Sequence, residues 1–509
     1  MIRTEWIQKE YEAVSTQGLV LSFFAGLEPS FCRDFSFDAP AFASIKPMLE
    51  HGDFSGAYGE ADWGYTTLSQ GPKRVFLLGL GRKQDFSLVR LRALSALLAR
   101  VIRKQEIKEF ATAIHGKVTD IPPAELCEAI VTGTKMGLYH FSHTLTLSEK
   151  KYFDIETIRI VDGDEDMARY AEPGITRGSI ISNAVCRTRD MVNLPANIVT
   201  PGYFVNKAKK MSLLQDIACN IYNERDIRSM GLSGLYAIGK GAAEPPYFID
   251  IRYRGGDGPP VVLIGKGVTF DSGGISLKQG KGMYRMKDDM AGAAIVLNTI
   301  QAAAQLGIPL NIYGLLPLCE NLPSRNAVKP GDVVKAMNGL NVEIVDTDAE
   351  GRIILMDALC YGERLKPAFM LDVATLTGAV TVALGRYAIG AMSNSGDLMQ
   401  LLLRTGKEID ERLWPLPLWE CYKSQLQTPV ADIKNLGGRE AGAITAGVFL
   451  SYFVGRTPWA HLDIASVSWL DQETPLALKG ASATGLRLLL RLLEHYAAGR
   501  PEFSLGEFC

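Results

Sequence analysis

Apolar residues in this chain fall into short blocks punctuated by glycine, proline and charge, and the blocks alternate between two periods. LVLSFFAG at 19–26, RVFLLGLG at 74–81 and TIRIVDG at 157–163 read as strands, with EFATAIHG at 109–116 as a further apolar run. Between them, residues 88–104 and 123–138 repeat apolar positions at helical spacing. Strands alternating with helices indicate an α/β unit. The acidic stretch 162–166 follows, and a helical pattern over 177–193 leads to the loop LPANIVTPG.

Beyond that loop the same theme returns more strongly. PVVLIGKGV at 260–268 reads as a buried strand, and 291–306 as an apolar helix. LNIYGLLPL (310–318), NVEIVD (341–346), AFMLDVA (368–374) and YAIGAMS (387–393) read as further strands. Helical patterns sit between several of them, at 352–365, 397–409 and 446–454. Near-continuous apolar strands interleaved with helices imply a sheet buried on both faces. The expected fold is α/β in two domains. A smaller N-terminal α/β domain spans 1–165, and 166–174 is a junction leading into a connecting helix. A larger domain, 175–509, holds a mixed, mainly parallel sheet covered by helices on both faces.

Composition narrows the picture only a little. With 509 residues, 47% hydrophobic and 22% charged, the chain is an ordinary globular protein with large cores. A formal net charge of -2 gives no general reason to expect a nucleic-acid or membrane partner. The eight cysteines contain no CxxC pair and read as unpaired thiols of a reducing cytosol. No uncharged apolar run approaches the roughly 18 residues of a membrane span, and MIRTEWIQKEYE is too charged for a secretory signal. A cytoplasmic location is therefore expected. Four of the six histidines precede residue 150, which disfavours a histidine-rich metal site in the C-terminal half. His140 and His143 read as surface or core residues, His461 as a hydrogen-bonded core residue, and Trp414, Trp419 and Trp469 as packing.

The chemistry concentrates in two glycine-rich blocks, GKGVTFDSGGISLKQGKGMYRMKDDMAG at 265–292 and VDTDAEGRI at 345–353. Both begin where an expected strand ends, which is where sites gather in α/β sheets. Asp271, Asp289, Asp348 and Glu350 facing one cavity would repel one another, so some would stay protonated unless cations intervened. In an extended segment Asp348 and Glu350 would share a face. An oxygen-rich donor set without histidine suits Mg²⁺ or Mn²⁺, and Zn²⁺ tolerates it. Two ions sharing ligands, about 3.5–4 Å apart, would also activate a bridging water as hydroxide. Lys266 is then either a counter-ion or, as a neutral amine, a metal ligand. A charged Lys278 would stabilise an oxyanion, and Arg352 would grip an anion. A phosphate loop is the competing interpretation, but GxxxxGK[ST] is absent.

At these residues the chain resembles the leucyl aminopeptidase, or cytosol aminopeptidase, family of di-metal exopeptidases. DAEGR and GKGxTFDSGG carry the resemblance, with PANIVTPG, VATLTGA and WAHLDIA in support, over about 193–493. The N-terminal domain resembles the family only weakly. The resemblance implies a metallo-exopeptidase that releases leucine and other apolar N-terminal residues from peptides. Asp271 and Glu350 would bridge two divalent ions. Lys266 and Asp289 would complete one site and Asp348 the other. The ions would be Mn²⁺ or Zn²⁺, with Mg²⁺ or Co²⁺ as further options. Lys278 and Arg352 would be catalytic, Arg352 holding a bicarbonate base. Met286, Thr375, Leu376, Gly378, Ala465 and Ser468 would bind substrate. The resemblance also implies a homohexamer built as two trimers, and an N-terminal domain with an assembly or regulatory role. Three departures stand out. Asp346 replaces the family's usual Asn, Ser468 stands where some members have Met, and the loop 279–285 carries extra positive charge. Two rival functions remain. One is a di-metal hydrolase of another amide or a phosphoester. The other is an added DNA-binding role using the basic run 92–108.

Overall fold

The computed structural model describes residues 2–32, 42–43, 45–66, 70–146 and 152–506. It divides into two compact units. One is Met1–Cys186 with Gln472–Lys479, and the other is Arg187–Asp471 with Gly480–Cys509.

Among the described residues the first unit is built on a seven-stranded sheet. Its spatial order is Arg3–Gln8, Thr157–Asp162, Glu109–Ala113, Leu19–Phe24, Arg74–Gly81 and Ala61–Tyr65, with Glu28–Pro29 folded back on Leu19–Phe24. All neighbours on the main path are parallel except the last pair. The inner strands are those with unbroken apolar runs. Arg3–Gln8 and Ala61–Tyr65, not anticipated from the pattern, lie at the two edges and contain no fully buried residue.

The junction expected at 166–174 is instead part of one helix, Ala168–Asn193, which passes through Pro173. Its first turns belong to the first unit because Ala171 and Ile175 pack with Leu126, Ile130 and Ile160. The division falls later, after Cys186. The excursion Gln472–Lys479 also differs from the expected 175–509 domain. Arg100 secures it with a 2.9 Å hydrogen bond to the Thr474 carbonyl.

The second unit is organised by a nine-stranded mixed sheet. In space the order is Leu413–Pro415, Ile389–Ser393, Trp459–Asp463, Phe369–Ala374, Val261–Gly265, Asn311–Asn321, Tyr247–Arg254 and Ile217–Tyr222. The four central strands, from Trp459–Asp463 to Asn311–Asn321, are parallel. Gly267–Asp271 continues beyond Val261–Gly265 and pairs with the far half of Asn311–Asn321. Val262 and Ile264 join the cluster formed with Ile353, Met356 and Val448, on the helices Glu350–Arg364 and Gly442–Ser451. The next residues along a strand point the other way, toward Ala291–Gln305 and Leu486–Gly499. Asn341–Ile344 departs from expectation. It lies in a separate three-stranded sheet with Asp332–Lys335 and Ile433–Lys434. Its burial alternates, which marks a strand covered on one face only. Among the described residues no helix is long and apolar enough to cross a membrane.

Two packing details position the site. Ala291–Gln305 starts against the central sheet because Gly292 has no side chain: a Cβ there would stand 2.0 Å from the Val373 carbonyl oxygen. Gly292→Ala should therefore cost about 1–3 kcal/mol, an overpacking penalty read as a lower denaturation midpoint.

Asp357, on Glu350–Arg364, accepts hydrogen bonds from the backbone N–H groups of Gly234 (2.7 Å) and Leu235 (3.1 Å) at the start of Ser233–Gly239. Burial pushes its carboxyl up to about 7. The folded protein thus holds this proton more tightly than the unfolded chain, whose Asp titrates near about 4. Stability from this group is full below about pH 4 and is lost as pH rises to about 7. Urea denaturation across that range should show a negative slope that shrinks in Asp357→Asn.

Candidate active site

The charged blocks converge where the central strands end. Lys266 occupies the break between Val261–Gly265 and Gly267–Asp271, and Asp271 terminates the second of these. Asp289 precedes the helix Ala291–Gln305, and Glu350 is the first residue of Glu350–Arg364. Helix N-termini favour such negative groups. Asp348 and Glu350 do not lie on an extended segment, contrary to expectation. Asp348 sits in a turn and reaches the site from there. The Asp346 side chain holds that turn by accepting from the Asp348 N–H (2.9 Å), while Asn435 Nδ2 donates to the Asp346 carbonyl (2.7 Å). Asp346 itself is off the cavity wall.

Lys266 is 2% exposed and lies 2.7 Å from Asp289 and 2.9 Å from Glu350. It also donates to the Thr375 carbonyl (3.0 Å). Lys278 lies 2.7 Å from Asp271 and pairs with Asp348, whose side chain is 35% exposed. Burial alone would lower both ammonium groups, but the surrounding carboxylates hold them above the usual lysine value. Burial raises Asp289, Asp348 and Glu350, and repulsion from neighbouring acids adds to the rise.

These groups open onto one cavity of about 560 Å³. Lys266, Asp271, Lys278, Asp289, Asp348 and Glu350 line it, as do Met286, Thr375, Leu376, Gly378, Ala465 and Ser468. Arg352 does not. It is 5% exposed, donates to the Asn435 carbonyl (2.8 Å) and has a buried Nε without a partner. Burial lowers its guanidinium to about 10, still charged at neutral pH. Trp469 lines the cavity, whereas Trp414 and Trp419 are 61% and 49% exposed, so none of the three is interior packing.

Two contributors, Asn321 and Asp288, escaped the sequence, and a third, Asp463, stands out in the apolar run WAHLDIA as a group that either supports the site or is purely structural. Asn321, 2% exposed, donates from Nδ2 to Asp271 (2.8 Å) and to the Thr347 carbonyl (3.0 Å). Its signal was its place at the end of the long central strand, in register with Asp271; an uncharged amide did not stand out. Asp288 lines the cavity, and burial pushes it up to about 6. Asp463 is fully buried. It accepts from the N–H groups of Leu376 (3.1 Å) and Ala465 (3.2 Å) and from the Thr377 hydroxyl (2.7 Å), so it sets the loop that supplies much of the wall. His461 lies in the core, with Nδ1 2.5 Å from Asp372.

The donor set fits divalent metal ions. Ligand atoms of Asp271, Asp348 and Glu350 lie within 4.8 Å of one another. Among the described residues Asp289 Oδ2 is buried with no hydrogen-bond partner. At the inner end of the cavity two ammonium groups, those of Lys266 and Lys278, pair with these four carboxylates. Buried anions in such excess call for additional positive charge.

The catalytic-domain model of the cytosol aminopeptidase family matches residues 186–490, and its N-terminal-domain model matches 33–146. The first domain is thus more clearly of the family than its motifs suggested. A probable cytosol aminopeptidase of Geobacter sp. (strain M21) is 41% identical over 460 residues, 90% of this chain and 92% of that protein. One from Geobacter sulfurreducens is 43% identical over 424 residues, 83% and 85% of the two chains. Among solved structures, the bottromycin maturation enzyme BotP in complex with Mn superposes with a TM-score of 0.83 at 29% identity. That match covers 95% of this chain and 100% of BotP. Fold, site and relatives together define a metal-dependent aminopeptidase, a hydrolase of the metallo-exopeptidase class. The chain belongs to the cytosol aminopeptidase family.

Asn321 orients a carboxylate without being a donor of negative charge itself. Asn321→Ala should weaken Mn²⁺ binding by about 10–100-fold, measured by titrating metal-stripped protein, while the circular dichroism spectrum is unchanged.

Proposed function

We propose that this aminopeptidase removes leucine and other apolar residues from peptide N-termini with the help of two divalent ions. The observation that carries this is the convergence of Asp271, Asp289, Asp348 and Glu350 with Lys278 on one cavity. In this proposal Asp271 and Glu350 would serve both ions, Asp289 would help hold one together with Lys266, whose amine would be neutral once the ions take over its carboxylate partners, and Asp348 would help hold the other. Mn²⁺ or Zn²⁺ is the expected occupant, and the Mn in the BotP complex supports the first choice. Bound there, the ions supply Lewis acidity and activate water near neutral pH.

The chain's own groups do the rest. The inner end, where the ions would sit among the acids, receives the free α-amine, which exists beside the scissile bond only at a chain terminus, so cleavage is confined to the first peptide bond. Lys278 would polarise the first carbonyl and stabilise the oxyanion that forms on it. Its charged state is secured by the acids around it. Met286, Thr375, Gly378, Ala465 and Ser468 receive the first side chain, and the Leu376 backbone helps to orient the reacting groups. Arg352, with its unpartnered Nε, is the residue assigned to hold bicarbonate as the base. The remaining assignments rest on the family: a cytoplasmic location, which the relatives' names support, and a homohexamer of two trimers in which the first unit serves assembly or regulation.

The test is activity of metal-stripped protein on a panel of aminoacyl amides, with Mn²⁺, Zn²⁺, Mg²⁺ and Co²⁺ restored separately. Activity should return with ions, be highest on leucine and other apolar residues, and vanish on N-acetylated substrates. Lys278→Ala should lower kcat by about 10²–10³-fold with metal content intact, and Arg352→Ala should also lose turnover. Full activity of the stripped enzyme, or equal cleavage of acetylated peptides, would overturn the proposal.

A further inference from the structure

The cavity is electrically two-ended, and its outer end has no role in the chemistry above. Its inner wall carries Asp271, Asp289 and Glu350, all nearly inaccessible. Its outer wall carries Lys281, Arg285 and Arg386. Arg285 and Arg386 both engage one carboxylate, Asp471, at 3.2 and 2.9 Å. Two guanidinium groups on Asp471 leave one positive charge over, and Asp288, which lines the same cavity and interacts with Arg285, offsets part of it. Lys281 makes no ion pair among the described residues and keeps the rim positive on balance. The arrangement is anchored. Arg285 lies 5.5 Å from the centre of the Trp469 ring, and Arg386 Nη1 donates to the Trp469 carbonyl at 3.5 Å. Lys278 is not part of this surplus, because Asp271 and Asp348 occupy it.

Bound ions would offset the acids of the floor, so the charge left to discriminate between peptides is that of the rim, and it favours a peptide whose next charge beyond the amine is negative. The side chains of Arg285 and Arg386 are 26% and 39% exposed, so the anion belongs toward solvent. A carboxylate on the first residue would instead sit among Met286, Gly378 and Ala465, where it would lose water without gaining a charged partner. We propose that the Lys281–Arg285–Arg386 rim is a carboxylate-receiving subsite just beyond the scissile bond, selecting peptides with an acidic second residue or the free carboxyl terminus of a dipeptide. This rests on the aminopeptidase mechanism proposed above and names its preferred substrates.

Two substrate pairs separate the two carboxylate sources. Leu-Glu-amide against Leu-Gln-amide reports a side-chain carboxylate, and Leu-Gly against Leu-Gly-amide reports a terminal one. With the metal-loaded enzyme at low ionic strength, kcat/KM should favour the anionic member of at least one pair by about 3–10-fold, the modest range set by solvent-exposed charges. The preference should lie in KM, and should fall toward one at about 0.5 M salt. In the Lys281→Gln, Arg386→Gln double variant the ratio should collapse at low salt as well. The ratio is internally controlled, so a general loss of folding or activity does not imitate its collapse. Ratios below about 3 in both pairs, a salt-insensitive preference, or a preference that survives in the double variant would each overturn this subsite while leaving the aminopeptidase mechanism standing. Failure to hydrolyse any of the four substrates would remove that mechanism and the subsite together.

Discussion

Asp271, Asp348 and Glu350 bring ligand atoms within 4.8 Å of one another, and a fourth acid, Asp289, leaves an oxygen buried and unbonded beside them. Like charges this close do not coexist in a protein interior unless something positive holds them. Lys266 and Lys278 supply part of that charge, each bound to two of the four acids. The remainder is the space for metal ions. The rest of the second unit answers this constraint: the acids are placed at strand and helix ends, where the backbone can bear them, and the wall around them is fixed by groups that do not themselves line the cavity.

That support is layered. Asn321 reaches across from the neighbouring strand to orient Asp271, and Asp463 draws Leu376, Thr377 and Ala465 together behind the cavity wall. Asn435 ties the Asp346 turn and also accepts from Arg352. Gly292 lets the helix that follows Asp289 begin directly against the sheet. Asn321 acts on the Asp271 side chain itself, whereas Asp463, Asn435 and Gly292 act through the backbone.

What could be read from the sequence follows from the same physics. Central strands such as Val261–Gly265 are buried on both faces and appear as unbroken apolar runs, so they were legible. The edge strands Arg3–Gln8 and Ala61–Tyr65 bury nothing completely and gave no such signal. Asn341–Ile344 was recognisable as a strand, but its assignment to a separate small sheet depends on pairing with Ile433–Lys434, some ninety residues on. Ionisable residues announced the site because charge inside apolar segments is conspicuous. Asn321 and the buried position of Arg352 were silent, since an amide is unremarkable in a sequence and depth behind a wall is a property of packing. The helix Ala168–Asn193 hid the division between units, because its periodicity runs through the point where the packing partners change.

The excursion Gln472–Lys479 has a consequence for biosynthesis. The first unit is translated through Cys186, yet one of its pieces emerges roughly 290 residues later. At about 5–20 residues per second, that is a delay of about 15–60 s during which the nascent unit lacks a segment that Arg100 will grip. Domain-by-domain maturation from the N-terminus is therefore incomplete for this chain. A ribosome stalled anywhere before residue 472, or a product cut short there, leaves the early unit unfinished as well as the late one.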